Sequence, residues 1–166
     1  RMISAKRILE IGTLGAYSTL WLARGLSAGG RVITLEADPH HAAVARKNLA
    51  RANLTDIVDL RLGRALDTLP TLASEGPFDL IFIDADKPSI ADYLTLSIKL
   101  SRPGTAILVD NVVRKGAVTD PASTDANVQG VRKFASLLST LPNLTATTLQ
   151  TVGSKGYDGF TLILVN

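Results

Sequence analysis

At 166 residues the chain is long enough for one domain with a sizeable core, and 46% hydrophobic with 20% charged residues excludes a disordered protein. No apolar run approaches the roughly 20 residues of a membrane span, no signal-peptide pattern opens the chain, and the lack of cysteine removes disulfides and thiolate metal sites, in keeping with a cytoplasmic protein. A net charge of +3 is too mild to indicate nucleic acid by itself, and it leaves that partner open.

Strands alternate with helical stretches along the chain. Arg7–Ile11 reads as a buried strand that breaks at Gly12. Tyr17–Ser27 follows as a helix, with Leu20, Ala23 and Leu26 at helical spacing and Trp21 expected to pack. Arg31–Glu36 is a second strand, and Pro39–Ala52 a helix with proline in its first turn. Val58–Leu62 is a third strand and Leu66–Ala73 a short helix bent or interrupted by Pro70. Phe78–Ile83 is a nearly continuous apolar strand, as in a sheet covered on both faces. Ser89–Leu100 is helical, and Thr105–Val109 is a fifth strand after Pro103-Gly104. Arg114–Asn127 has no periodicity and reads as a long polar loop. Val128–Leu141 is a helix, and Leu144–Val152 and Phe160–Val165 are strands joined by Gly153–Gly159. With no room for a helix between them, this last pair must run antiparallel.

This order predicts one α/β domain over residues 1–166: a doubly wound, Rossmann-like, mostly parallel seven-stranded sheet with an antiparallel last strand. Ligands of such sheets bind outside the carboxyl ends of the strands, at the switch point beside the first strand. The candidate residues all fall on that rim.

Gly12 and Gly15 make a G-x-x-G turn between the first strand and helix, unlike the G-x-G-x-x-G of dinucleotide enzymes. Glu10, inside the strand end, would repel a pyrophosphate but not a cationic or hydroxyl-bearing ligand. Glu36 ends the second strand, where an acid accepts hydrogen bonds from ribose hydroxyls; an exposed loop acid is the alternative. Asp84, Asp86 and Lys87 follow the fourth strand, and Asp110-Asn111 follow the fifth. If those strands are neighbours, Asp84 and Asp110 face each other, and carboxylates about 4 Å apart repel by about 4 kcal/mol at an effective dielectric near 20. A divalent ion with oxygen ligands offsets that, and Asp, Asp and Asn suit Mg²⁺ or another hard cation. Strand-end acids acting only as helix caps are the alternative. His40 and His41 read as surface residues.

The stretch LEIGTLGAYS, residues 9–18, resembles motif I of class I S-adenosylmethionine-dependent methyltransferases. The D-x-x-K of Asp84–Lys87 and the Asp110-Asn111 pair are similar to those of the metal-dependent catechol and caffeoyl-CoA O-methyltransferases, bacterial members included. The resemblance covers nearly the whole chain. It implies that Glu10, Gly12, Ser18, Glu36, Gly63, Ala65 and Asp84 bind S-adenosylmethionine, that Asp84, Asp110 and Asn111 hold the metal, and that Lys87 is the general base, with Asp84 serving metal and cofactor. Ala16 departs from the glycine of many relatives, and Arg64 from the small residue of some. The family carries a helical segment ahead of motif I, so a chain opening Arg1-Met2 reads as lacking it.

The implied acceptor is a small vicinal diol, catechol-like or hydroxycinnamoyl, and the implied assembly is a homodimer. A rival within the same resemblance is a 5-hydroxyuridine of tRNA, with Arg114, Lys115, Arg132, Lys133 and Lys155 on phosphate. A cofactor-binding module without turnover is a third reading. The loop Arg114–Asn127 and the hairpin around Lys155, Tyr157 and Asp158 are expected to line the acceptor's entrance.

Overall fold

The computed structural model describes residues 1–154 and 156–166. Seven strands form one sheet: β1 (Arg7–Ile11), β2 (Arg31–Glu36), β3 (Val58–Leu62), β4 (Leu80–Ile83), β5 (Ala106–Asp110), β6 (Leu144–Gly153) and β7 (Gly156–Val165). Their order is β3-β2-β1-β4-β5-β7-β6. β7 runs antiparallel to both β5 and β6, while the pairs among β1 to β5 are parallel. The expected doubly wound sheet with an antiparallel last strand is therefore present. The order reverses between β1 and β4, which opens the rim crevice that a switch point provides.

The period-2 alternation of strands sorts the core into two layers. Ile8, Val32 and Val58 point to one face, where Ala16, Ala23, Ala45 and Leu49 meet them from α1 (Tyr17–Gly25), its N-terminal turn and α2 (Pro39–Arg51). Leu9, Ile11, Ile33, Leu35, Ile81, Ile83, Ile107, Val109 and Ile163 point to the other face. There they pack on Ala65 and Leu66 of α3 (Ala65–Thr68), on Ile90 and Leu94 of α4 (Ile90–Lys99), and on Val131 and Phe134 of α5 (Ala126–Leu138). Helix starts follow local chemistry: Asp38 Oδ1 accepts from the amides of His40 and His41 at 2.7 and 3.0 Å, and Asp125 caps α5 through Asn127. No helix among the described residues is long and apolar enough to cross a membrane.

Several boundaries differ from expectation. The helix expected over Leu66–Ala73 is one α-helical turn followed by a 3₁₀ turn, Leu69–Leu72, where Pro70 removes a donor. The fourth strand starts at Leu80, because the Phe78 amide bonds Leu100 O and its carbonyl accepts from Thr105 Oγ1. The polar stretch after β5 is not all loop: Arg114–Thr119 is 3₁₀ with a kink at Lys115-Gly116. β7 begins at Gly156 rather than Phe160, so the hairpin is longer and its connection shorter. Trp21 is 59% exposed, with the Arg24 guanidinium 5.6 Å from its ring centroid; the expected core packing is absent because this face of α1 looks to solvent.

Candidate active site

The turn after β1 is built by residues that leave no room for slack. Gly12 has φ +101, and a Cβ there would sit 2.1 Å from the Asp84 carbonyl oxygen, so the backbones of the β1 and β4 ends touch directly. The Gly12 amide donates to Leu35 O at 3.0 Å and the Asp84 amide to Ile11 O at 2.9 Å, which ties three strand ends together. Leu14 (φ 48) and Ala16 (φ 66) complete the turn in left-handed conformations. Ala16 is fully buried at the start of α1, so alanine holds this left-handed position with a packed methyl at a conformational cost of about 1–2 kcal/mol. Asn48, on α2, donates from Nδ2 to Gly15 O at 2.9 Å and secures the turn from outside.

Above the turn lies a cleft of about 880 Å³ whose walls include Gly12, Ser18, Glu36, Gly63, Ala65, Asp84 and Asp110. That size suits a cofactor or other small molecule. Among the expected cofactor residues, Glu10 stands apart. It is wholly buried behind the turn, where its Oε2 accepts from Thr19 Oγ1 at 2.5 Å and Thr34 Oγ1 at 2.6 Å. Its Oε1 is buried without a hydrogen-bond partner among the described residues. Burial raises the Glu10 carboxyl above the usual range, against the nearby hydroxyls of Ser18, Thr19 and Thr34, which lower it. Glu36 is also largely buried, with Oε2 accepting from the Leu14 amide at 2.7 Å and Oε1 from the Asp38 amide at 2.9 Å. Those two bonds fix a carboxylate on the cleft wall with acceptor capacity to spare, as ribose hydroxyls require.

At the other end of the cleft, the register pairs Ile83 with Val109 across β4 and β5. Asp84 and the Asp110 that closes β5 therefore leave adjacent parallel strands side by side. Burial first, and the Asp84 charge as well, raise the Asp110 carboxyl above its usual range, against the Asn111 amide that donates to it. Lys87 is only 5% exposed, and its Nζ lies 3.1 Å from Asp84 Oδ1. Asn111 follows with φ 57 and lines a neighbouring hollow with Lys115, Tyr157 and Asp158. Among the described residues no three His, Cys, Asp or Glu side chains converge on a metal position. A cation at this rim would take two carboxylates and an amide, an all-oxygen set that fits a hard ion keeping open positions. Two carboxylates at adjacent strand ends, Asp84 exposed and Asp110 half-buried, fit such an ion on charge grounds.

Two contributors were not foreseen. Tyr93 of α4 lines the cleft and donates its hydroxyl to Asp86 Oδ1, while Asp86 Oδ2 accepts from the Ser89 amide at 3.2 Å. Burial and Asp86 together raise the Tyr93 phenol. Gly130, inside α5, meets the Lys87 backbone. Tyr93 had a readable signal, seven residues past Asp86 on an amphipathic helix; Gly130 had none. His40 and His41 stand at the α2 start as expected, His41 Nδ1 being 3.7 Å from Glu36. Lys155 lies outside the described residues.

A family model described as O-methyltransferase matches residues 1–165. A catechol O-methyltransferase of Niastella koreensis is 54% identical over 99% of this chain and 76% of its own length. One of Mycobacterium tuberculosis is 54% identical over 98% of this chain and 73% of its own length. Among solved structures, an O-methyltransferase from Bacillus cereus in complex with S-adenosylhomocysteine superposes with a TM-score of 0.97 at 57% identity, covering 99% of this chain and 76% of that one. The O-methyltransferase TomG from Streptomyces achromogenes, in complex with S-adenosylmethionine, gives 0.96 at 53% identity, covering 99% and 75%. The chain belongs to the O-methyltransferase family. Within it the chain falls in the class I, S-adenosylmethionine-dependent group of the catechol and caffeoyl-CoA type, a group of enzymes.

Proposed function

We propose that this enzyme moves a methyl group from S-adenosylmethionine to one hydroxyl of a small vicinal diol, a catechol or hydroxycinnamoyl compound, with a hard divalent cation such as Mg²⁺ at Asp84, Asp110 and Asn111. The observation that carries the reading is that Asp84 and Asp110 leave adjacent strand ends on the cleft wall, with the buried Lys87 3.1 Å from Asp84 and the glycine turn against the Asp84 backbone. The two relatives bearing the name catechol O-methyltransferase support the acceptor class.

Each residue has a task in this reading. Glu36, held by the Leu14 and Asp38 amides, accepts the ribose hydroxyls. Gly12, Ser18, Gly63 and Ala65 form the wall that lets the donor lie close to backbone. Lys87 Nζ, 3.1 Å from Asp84 Oδ1, would receive the hydroxyl proton as general base in its neutral form, the Asp84 carboxylate then facing the cation instead of the amine. Bound beside it, the cation supplies the Lewis acidity that makes this hydroxyl easier to ionise. The carbon–sulfur bond breaks as the oxygen–carbon bond forms, and a neutral thioether leaves. The donor is already activated, so catalysis consists mainly of holding the reacting atoms about 3–3.5 Å apart in line. A homodimer is the proposed assembly.

The tRNA reading has less support. Of its proposed phosphate contacts, Arg132 is half-buried and donates from Nη1 to Val118 O at 2.7 Å, so this guanidinium is already engaged within the fold.

The test is methyl transfer to a panel of vicinal diphenols and to hydroxylated tRNA, with and without chelator. Turnover of a diphenol that EDTA abolishes and Mg²⁺ restores is expected. Asp110→Ala is expected to lose turnover while keeping most S-adenosylmethionine binding. Full activity in excess EDTA defeats the metal assignment, and turnover confined to tRNA defeats the acceptor.

A further inference from the structure

The rim that follows β5 is conformationally expensive. Within five residues, Asn111, Arg114 and Lys115 all have positive φ without being glycine, at 57, 53 and 54°. Such residues persist only where surrounding structure over-determines them. The surrounding structure here is one short piece of β7. Asp158 Oδ1 accepts from three amides: Val113 at 3.0 Å, Arg114 at 3.0 Å and Gly159 at 2.9 Å. Tyr157 donates its hydroxyl to Lys115 O at 2.6 Å. Gly159 accepts from the Val112 amide at 3.0 Å, and a Cβ on it would sit 2.6 Å from Val113 Cγ2 and 2.4 Å from Leu149 O. Asp110 itself pairs with Phe160, one residue further on. Every residue from Asp110 to Lys115 except Asn111 is thus gripped by Tyr157–Phe160, and Asn111 is the one left to offer its amide.

From this we infer that Asp158 is a positioning residue for the cation site: by accepting the Val113 and Arg114 amides, it fixes the turn that sets Asn111 beside Asp110. This rests on the metal reading above. Asp158 acts through geometry, as an acceptor of backbone N–H groups, and lies outside the cofactor cleft. An amide oxygen can accept the same bonds without the charge.

The experiment is titration of the apo chain with Mn²⁺, free ion being read by electron paramagnetic resonance, alongside calorimetric binding of S-adenosylmethionine. Asp158→Ala is expected to weaken Mn²⁺ by about 10-fold or more, the scale of outer-shell partners of a metal site, with S-adenosylmethionine affinity held within about 2-fold, less than half a kcal/mol at tenfold per 1.4 kcal/mol. Asp158→Asn is expected to restore Mn²⁺ binding to near the parent value. If Asp158→Ala does not fold, Asp158→Ser, whose shorter hydroxyl cannot span the three amides, reads the same loss. Parent-like Mn²⁺ affinity in the Ala or Ser variant overturns the inference while leaving the metal reading intact. Equal loss in Asp158→Asn also overturns it, since the charge rather than the N–H grip would then matter. A parent chain that binds no Mn²⁺ overturns the metal reading and this inference with it.

Discussion

Gly130 of α5 lies so close to Lys87 that an added Cβ would stand 2.1 Å from the Lys87 carbonyl oxygen and 2.8 Å from Pro88 Cα. The helix and the segment bearing the proposed base are in backbone contact, and neither can yield as a flexible side chain would. Gly130→Ala must push α5 away or displace Lys87. Overpacking of this kind costs about 1–3 kcal/mol. The expected outcome is a lowered Tm and reduced kcat, with S-adenosylmethionine binding little changed because Gly130 is not on the cleft wall. An unchanged kcat would mean that α5 has yielded and the Lys87 segment has kept its place.

Gly12→Ala is a harsher change, at the turn that abuts the Asp84 backbone. The position combines φ +101 with an oxygen 2.1 Å from the prospective methyl. Strain of about 1–3 kcal/mol is expected from the conformation alone. Because the strained turn is itself the donor's wall, S-adenosylmethionine affinity should fall by about tenfold or more, at tenfold per 1.4 kcal/mol. Calorimetry on the purified variant reads it, and parent-like affinity would remove Gly12 from the donor site.

Glu10 makes a prediction about pH. Burial raises its carboxyl in the folded state from an ordinary value of 4.5, so the folded protein holds the proton more tightly than the unfolded chain. Stability then falls as pH rises from 4.5 through the folded value, and the penalty is complete above it. Glu10→Gln removes the ionisation, keeps an oxygen for Thr19 and Thr34, and substitutes a donor for the orphaned Oε1. The variant is expected to exceed the parent in Tm at neutral pH, with the gain shrinking as pH approaches 4.5. A gain that grows toward acid would reverse the sign and refute the assignment.

The fold was legible where hydrophobic period and punctuation agreed. β1, β2 and β3 occur at their expected bounds because their β-branched and apolar positions stop at Gly12, at Glu36 and at Gly63. The rest was hidden by residues whose local meaning tertiary contacts reversed. Gly156 and Gly159 read as turn residues, yet both lie within β7, and Gly159 is there because Leu149 O and Val113 leave no room for a side chain. Phe78 reads as strand, but its backbone bonds are taken by Leu100 and Thr105. In the site, Asp84, Asp110 and Glu36 could be found from their places at strand ends. The burial of Glu10 behind Thr19 and Thr34 could not, because those partners come from α1 and β2, far along the chain.

The contact of Gly12 with the Asp84 carbonyl joins the proposed donor and metal halves of the rim through bare backbone, with no side chain between them to tune. Evolution cannot slide one half against the other in small steps. A change in the spacing of the two halves therefore needs both backbones to move together, since no single side-chain substitution lies between them.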